Sequence, residues 1–236
     1  MDGGERQDGR GQPRQKHFRP RAGAKTIVSS DPEIFLGVLL LAAGGSRRMG
    51  QPKLLLPWGT TTVLGHLIQQ WEQLDARQIG VVCAAGVAEL QNELDRLGFP
   101  KENRIFNPAP ERGMFSSIQC AAAWPGWNAD LTHWMITLGD QPHLRRETLE
   151  SLLSFGAANP RNICQPLRNG RPRHPVLLPK PAFAALKERS ASDLRQFLES
   201  RADELAGVEV ADAGLDFDID TPADYQRARE WSFKSG

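Results

Sequence analysis

The sequence has few cysteines and no long apolar run, and each absence excludes a class of protein. Cys83, Cys120 and Cys164 lie far apart, without CxxC or Cys/His spacing. This argues against a zinc site and for unpaired thiols in a reducing compartment. The longest apolar run, residues 34–45, is too short to span a bilayer, and the polar N-terminus lacks the apolar segment of a secretion signal. We therefore expect a cytoplasmic protein.

Neither sign of charge is in excess, because 29 Lys and Arg residues stand against 28 Asp and Glu residues. A chain without a global basic field has no general attraction for nucleic acid or anionic lipid. We expect neither nucleic acid nor a membrane as a partner, so an anionic substrate must be held by a local site. The contents of 22 Gly, 17 Pro and 24% charged residues are those of an ordinary globular protein with one core-forming domain.

The first 32 residues differ from the rest of the chain. They hold four acidic side chains, seven basic ones and five glycines, with few apolar residues. Such a segment cannot bury enough surface to offset its chain entropy. The sequence therefore predicts a disordered N-terminal tail over residues 1–32 and a single folded domain over residues 33–236.

Apolar periodicity in the first half predicts alternating strands and helices. The continuous apolar run at 34–42 is typical of a strand buried on both faces of a parallel sheet. Apolar residues then recur at helical spacing from Leu64 to Leu74. The next predicted elements are strands at 79–84, 104–106 and 134–139 and helices at 87–97 and 115–123. This alternation implies a doubly wound, Rossmann-like, mainly parallel α/β sheet with helices on both faces and ligands at the carboxyl ends of its strands.

The second half is less regular. Residues 163–170 and 174–179 have the pattern of two strands joined by a Gly-containing turn, which predicts a small hairpin or flap. The remaining predicted elements are helices at 181–188 and 192–201, a strand at 207–211 and a final helix from Pro222. The start of that last helix is well marked, because Thr221 can cap it and Asp224 stands where a capping box has its acid.

A loop rich in glycine and cations follows the first strand, within LLLAAGGSRRMGQPKLLLPWG at residues 39–59. Glycines let backbone amides approach an anion, and Arg47, Arg48 and Lys53 would neutralise phosphate oxygens. The loop therefore indicates a polyphosphate site, although a tight turn with solvated arginines is the alternative. The Gly-Lys-Ser/Thr of a Walker loop and the GxGxxG fingerprint are both missing, which disfavours a P-loop NTPase and a dinucleotide site.

Two acidic segments predict a metal site. Asp140, in LGDQP, ends a buried strand, and Mg²⁺ is usually held by one or two carboxylates plus substrate phosphates. The alternative role for this residue is to cap the next turn. In DFDIDTP, alternation would place Asp216, Asp218 and Asp220 on one face, where the carboxylates repel one another unless cations lie nearby, which favours a metal site over the alternative of a solvated charge run. We predict that Asp140 and Asp220 share one Mg²⁺ and lie within about 8 Å of each other, with Asp218 in support.

Together these segments resemble the nucleotidyltransferases of molybdenum-cofactor biosynthesis, within the MobA-like, GT-A-like NTP transferase superfamily. LAAGGSRRMGQPK is similar to the family's LAAGxSxRMGxPK, LGDQP to its LxDMP or GDxP, and DIDTPADY to its DIDTPEDY. The pair Asn107-Pro108 followed by ERGMFSS resembles NPxWxxGMxSSL, and HPV at 174–176 resembles GHPV. The similarity covers about residues 36–230, in order, and looks most like the MocA-type molybdenum cofactor cytidylyltransferases.

The resemblance implies a Mg²⁺-dependent enzyme that transfers CMP from CTP to the phosphate of molybdopterin or molybdenum cofactor and releases pyrophosphate. It implies catalytic roles for Arg48, Lys53 and Asp140, and metal binding by Asp140 and Asp220. The implied nucleotide-binding residues are Leu41, Ala42, Ala43, Gly44, Gly45, Ser46, Arg48, Lys53, Gly113, Ser116 and Ser117. For Ser117 the alternative is a cap on the helix at 115–123. A molybdenum hydroxylase is a candidate partner.

The segments that would face the acceptor depart from the family pattern. Arg173 stands where GxxGHPV has its second glycine, and SASDL at 190–194 replaces GDxGAR. Asp218, Arg173 and His174 are predicted acceptor contacts, and the alternative for the arginine is a basic turn in a solvated hairpin. Two rival functions stay open: nucleotidyl transfer to a sugar or polyol phosphate, and a non-catalytic carrier of molybdenum cofactor. A carrier would not need both a triphosphate loop and a metal carboxylate.

Overall fold

The computed structural model describes residues 33–44, 49–188 and 191–233. The predicted N-terminal tail lies outside these ranges, so its disorder and the boundary at residue 33 stay predictions. Within the described ranges, no helix combines the length and the apolar character needed to cross a membrane.

The described residues form helices and strands that alternate along the first two thirds of the domain. The helices are α1 (Val63–Glu72), α2 (Ala88–Arg96), α3 (Met114–Ala123), α4 (Arg146–Ala158), α5 (Lys180–Ala185), α6 (Leu194–Glu199) and α7 (Pro222–Phe233). The strands are β1 (Leu36–Leu41), β2 (Pro57–Trp58), β3 (Thr61–Thr62), β4 (Gln78–Ala84), β5 (Arg104–Asn107), β6 (His133–Leu138), β7 (Ile163–Arg168), β8 (Arg171–Pro172), β9 (Val176–Pro179) and β10 (Leu205–Glu209).

The main sheet has the strand order β10-β7-β9-β6-β1-β4-β5, with β8 paired to β7. Strand β1 lies between β4 and β6 and is parallel to both, whereas β9 is antiparallel to its neighbours β6 and β7. After β1 the chain builds β4 and β5 on one side and then crosses to β6 on the other. A change of direction of this kind opens a crevice at the carboxyl ends of the two strands, β1 and β6.

Apolar side chains of the sheet face helices on both sides. Val38 and Leu40 of β1 pack into a core with α1, α2, α4 and α7, and Leu39 packs into a second core with α3, α5 and α6. All three side chains are fully buried. Because side chains alternate along a strand, burial on both faces requires the continuous apolar run seen in the sequence. The predicted doubly wound, mainly parallel α/β sheet is therefore confirmed.

Local signals in the sequence place several elements correctly. The Thr62 side chain accepts a hydrogen bond from the Gly65 amide and caps α1. At α7, the Asp224 carboxylate accepts from the amide and hydroxyl of Thr221, and the Asp224 amide donates to the Thr221 hydroxyl, which forms the predicted capping box. Of the predicted hairpin, the second strand is β9, which pairs antiparallel with β7 at Leu177 and Cys164. The turn at Asn169 and Gly170, with φ of 51° and 71°, instead joins β7 to the short strand β8, which was not predicted.

Other elements differ from the predictions. Helix α4 and the short β2–β3 pair were not predicted, α5 and α6 are shorter than predicted, and β10 begins at Leu205 rather than at residue 207. The Arg145 side chain that precedes α4 makes no capping hydrogen bond. The first turn of α4 is capped instead by the distant Asp212, whose carboxylate accepts from the Arg145 amide and the Thr148 hydroxyl. A cap that comes from 64 or more residues away leaves no local signal.

Candidate active site

The crevice at the carboxyl ends of β1 and β6 brings the two most informative loops of the sequence together. Strand β1 ends at Leu41 and leads into the Gly-rich loop, and β6 ends at Leu138 and leads into Gly139 and Asp140. A Cβ atom at residue 139 would lie 2.7 Å from the Leu41 carbonyl oxygen. Glycine is therefore required at this close approach between the two strand ends.

Lys53 and two of the predicted metal ligands meet in this crevice. The Lys53 ammonium donates to Asp140 Oδ2 at 2.7 Å and to the Ile219 carbonyl oxygen at 3.3 Å, and it lies 3.8 Å from Asp220 Oδ1. The Lys53 and Asp140 side chains are only 16% and 22% exposed, so their charges interact with little screening by water. The separation of the two carboxylate oxygens cannot exceed the sum of their distances to the shared nitrogen. It is thus below the limit of about 8 Å for a shared ion.

The donor set fits a magnesium ion held jointly by protein and substrate. Asp140 Oδ1 is buried and has no hydrogen-bond partner among the described residues. The space between Asp140 and Asp220 already accommodates a cationic group, the Lys53 ammonium. Within the described ranges, no group of three or more His, Cys, Asp or Glu side chains is arranged to hold a metal. Two carboxylates are sufficient for Mg²⁺ when water and phosphate oxygens complete its octahedron.

Asp218, two residues before Asp220, is held by a different side chain. Its Oδ1 accepts a hydrogen bond of 2.8 Å from the Gln141 side chain. Burial raises the pKa of Asp218, and the negative charge of Asp140 raises it further. The predicted shared face with Asp216 is wrong, because Asp216 ends a 3₁₀ turn and its carboxylate pairs with Arg168 and Arg173.

Two adjoining pockets beside the Lys53–Asp140 pair are large enough for parts of a nucleotide. One has a volume of about 310 Å³ and the other about 650 Å³. The predicted nucleotide-binding residues that line one or both are Leu41, Ala42, Ala43, Gly44, Lys53, Gly113 and Ser117. Gly45, Ser46 and Arg48 lie outside the described residues, so their predicted roles stay predictions. Pro110 lines both pockets and places the segment before α3 against the cleft.

The Ser116 and Ser117 hydroxyls accept hydrogen bonds from another side chain of the protein. Asn107, which is 1% exposed at the end of β5, donates through Nδ2 to both hydroxyls, at 2.8 and 2.9 Å. Its Oδ1 accepts from the Ala109 amide. Helix α3 is preceded by Gly113, with φ of 90° and no side-chain cap, so the alternative of a serine cap is wrong. Asn107 therefore holds the loop from residue 108 to 113 in its place along the cleft.

Asn107→Ala is expected to lower the free energy of unfolding by about 1–3 kcal/mol, because the Ser117 hydroxyl and the Ala109 amide lose the partner that Asn107 supplies. The loop should also lose its position, so KM for the nucleotide should rise. Chemical denaturation and steady-state kinetics measure the two effects. Asn162→Ala is the matched control, because that amide donates to the Glu204 carbonyl at the opposite edge of the sheet. A destabilised Asn107→Ala protein with unchanged KM would contradict the loop's role.

A third pocket, of about 890 Å³, lies next to the cleft and shares Met114 and Leu138 with it. All three predicted acceptor contacts, Asp218, Arg173 and His174, line this pocket. Arg173 contacts the Asp216 carboxylate through Nε and Nη2, at 3.2 and 2.8 Å, and shares that carboxylate with Arg168, so the three groups together keep one net positive charge.

Burial lowers the pKa of His174, so the imidazole is neutral at pH 7. The residues found from the sequence thus separate into a group around Lys53, which lines the first two pockets, and a group with His174, which lines the third.

Sequence reasoning missed three residues that organise the site. Asn107 was noted only as part of a motif, and Gln141 and His143 were not singled out. The last two lie within three residues after Asp140 in the sequence, and that position was the one available signal. Their partners, Asp218, Gly214 and Phe217, lie more than 70 residues away.

The chain is similar to known proteins both in sequence and in fold. The family described as "MobA-like NTP transferase domain" matches residues 38–205. The chain is 33% identical over 195 residues to the molybdenum cofactor cytidylyltransferase of Escherichia coli (strain K12), which covers 81% of this chain and 94% of that protein.

Two solved structures have the same fold. Rv0371c from Mycobacterium tuberculosis H37Rv has a TM-score of 0.66 at 24% identity, over 84% of this chain and 99% of its own. A CMP:2-keto-3-deoxy-manno-octonic acid synthetase complexed with CTP has a TM-score of 0.67 at 14% identity, over 85% and 99%. At these identities the likeness concerns the fold alone.

Proposed function

The chain belongs to the MobA-like NTP transferase family, and we propose that it transfers CMP from CTP to the phosphate of molybdopterin or its molybdenum-bearing form. Family membership makes it a nucleotidyltransferase. The choice of CTP and of this acceptor is supported by the 33% identity to the Escherichia coli cytidylyltransferase over 94% of that protein.

The observation that carries the proposal is the Lys53–Asp140 pair at the crevice between β1 and β6. An ammonium and a carboxylate 2.7 Å apart, beside a Gly-containing loop, form a site for a polyphosphate and its counter-ion. A carrier that only transports a cofactor has no use for this pair. The adjoining pocket of about 890 Å³ offers room for an acceptor on the far side of Asp140 and Met114.

In the proposed reaction, a phosphate oxygen of the acceptor forms a bond to the α-phosphorus of CTP. The bond from that phosphorus to the bridging oxygen breaks, and its electron pair leaves with pyrophosphate. The attacking phosphate is already anionic at neutral pH, so the site needs no strong general base. Its task is to align two anions and to offset their charge, which makes positioning and electrostatics the main sources of acceleration.

The residues have distinct parts in this scheme. Lys53 neutralises charge on the triphosphate, and the loops at Gly44 and Gly113 bound the nucleotide pockets. Asp140 and Asp220 would hold Mg²⁺, which when bound supplies charge neutralisation and orients the phosphates. His174 and Asp218 face the acceptor pocket.

A pyrophosphate-release screen tests the proposal. Each of the four ribonucleoside triphosphates is combined with the full chain, Mg²⁺ and either molybdopterin, a sugar phosphate or a polyol phosphate, and the products are identified by mass spectrometry. We expect release only with CTP and molybdopterin, together with a product that carries CMP. Reactions without an acceptor control for simple hydrolysis of the nucleotide.

The rival functions give different results in the same screen. Release with a sugar or polyol phosphate but not with molybdopterin would show the same chemistry on another acceptor. Binding of molybdopterin without pyrophosphate release under any condition would support the non-catalytic carrier and overturn the proposal.

A further inference from the structure

Two segments that are distant in sequence carry the acidic residues of the site. The loop after β6 carries Asp140, and the segment before α7 carries Asp218 and Asp220. Next to the carboxylates, the two segments are joined by a hydrogen bond of 3.0 Å from the Ile219 amide to the Asp140 carbonyl oxygen and by the bond from Gln141 to Asp218. Neither segment is part of the sheet, so strand pairing does not hold them in register.

His143 joins these two segments from within the protein. Its side chain is 2% exposed, and its Nε2 lies 3.0 Å from the Gly214 carbonyl oxygen and 3.1 Å from that of Phe217. Carbonyl oxygens only accept, so Nε2 carries the hydrogen and donates to both. The imidazole also stacks on the Phe217 ring, with centroids 4.3 Å apart and planes 5° from parallel. His143 therefore holds Phe217, one residue before Asp218, by two kinds of contact.

Asp212 holds the other end of the segment that carries Asp218 and Asp220. Its Oδ2 accepts from the Arg145 amide at 3.0 Å and from the Thr148 hydroxyl at 2.9 Å, while its Oδ1 accepts from the Gly214 amide at 2.8 Å. The carboxylate is buried, and three donors satisfy it. Asp212 thus connects the start of α4 to the turn at Gly214. In the sequence, His143 lies between Asp140 and the start of α4.

We propose that His143 is a positioning residue that sets the affinity of the site for a divalent cation. It acts through Gly214 and Phe217, which keep the segment bearing Asp218 and Asp220 opposite Asp140. This role rests on the proposed function, because it takes Asp140 and Asp220 as the ligands of the ion. Groups that orient metal ligands commonly change metal affinity by about 10- to 100-fold when they are removed.

Binding of Mn²⁺ to the full chain, followed by electron paramagnetic resonance with and without CTP, tests the role independently of turnover. His143→Phe keeps an aromatic ring against Phe217 but removes the Nε2 donor. We expect it to weaken Mn²⁺ binding by about 10-fold or more. His143→Gln can place an amide donor near the same carbonyl oxygens and should recover part of the affinity.

His133→Phe is the matched control. His133 is also buried, and its Nε2 bonds to a backbone carbonyl, that of Pro160. It is the first residue of β6, however, at the opposite end of that strand from the site. Thermal melts should show a loss of stability in both phenylalanine variants, with Mn²⁺ affinity lowered only in His143→Phe. Equal affinity losses in the two variants, or none in a folded His143→Phe, would overturn the proposal.

Two further variants cover the remaining outcomes. If His143→Phe does not fold, His143→Asn is the second variant: its amide is too short to reach both carbonyl oxygens that Nε2 contacts, so wild-type Mn²⁺ affinity in the folded variant would overturn the role. Asp140→Asn separates this proposal from the proposed function. Unchanged Mn²⁺ binding in Asp140→Asn would refute the ligand assignment itself, whereas loss in Asp140→Asn with no loss in His143→Phe would refute the role of His143 alone.

Discussion

Lys53→Ala should lower turnover by at least about 100-fold, comparable to the loss of one preorganised electrostatic contact in an active site. The ammonium lies 2.7 Å from Asp140 in a cleft with little exposure to water. Without it, the charge that develops on the leaving pyrophosphate is less well offset, and the carboxylates repel the incoming triphosphate. Pyrophosphate release at saturating CTP and acceptor measures the effect on kcat.

Lys101→Ala is the control for this experiment. Lys101 is exposed in a 3₁₀ turn that leads into the amino end of β5. The site lies at the carboxyl ends of the strands, so the loss of Lys101 should leave turnover unchanged. Circular dichroism and thermal melting establish that both variants are folded. Near-normal turnover in a folded Lys53→Ala protein would reject the electrostatic role of Lys53.

Asp140→Asn should likewise remove most of the turnover, by at least about 100-fold, and raise the Mg²⁺ concentration needed for half-maximal rate. The substitution keeps the size of the side chain and removes the charge at the end of β6. Its Oδ1, buried without a partner among the described residues, is then no longer an anionic ligand. We expect Asp220→Asn to behave in the same way. Asp218→Asn should be milder, because that side chain contacts Gln141 and not the Lys53 ammonium.

The measurement is a series of rate curves against Mg²⁺ concentration for each variant. Asp130→Asn provides the matched control, since Asp130 pairs with Arg77 at 2.9 Å on the exposed surface before β6. It should have the wild-type rate and the wild-type Mg²⁺ dependence. Equal effects of Asp218→Asn and Asp140→Asn would show that the ion is held differently from our assignment.

Features that depend on neighbouring residues were predictable from the sequence. The apolar run of β1 must be buried on both faces, and a run of that kind is found in the centre of a parallel sheet. The capping box of Thr221 and Asp224 is formed within four residues, so its signal is local. The positions of Lys53 and Asp140 at the carboxyl edge followed in turn, because parallel strands end at the same edge of a sheet.

Features that depend on distant partners were not predictable in this way. Helix α4 begins where Asp212 supplies the cap, and nothing near residue 146 marks its start. Alternation suggested that Asp216 shares a face with Asp218, but the 3₁₀ turn ending at Asp216 interrupts the extended backbone. The Asp216 carboxylate pairs instead with Arg168 and Arg173 and does not join the carboxylates of Asp140 and Asp220.

By itself the sequence determined the α/β alternation, the two loops of the crevice and the residue types of a polyphosphate site, because periodicity, glycine placement and charge are local properties. Only the tertiary structure decided which groups meet. It brought Asp220 to Lys53 across 167 residues, engaged Ser116 and Ser117 with Asn107, and joined His143 to Phe217. Contacts of this range depend on the packing of elements against one another, and that packing is a property of the whole core and not of any segment.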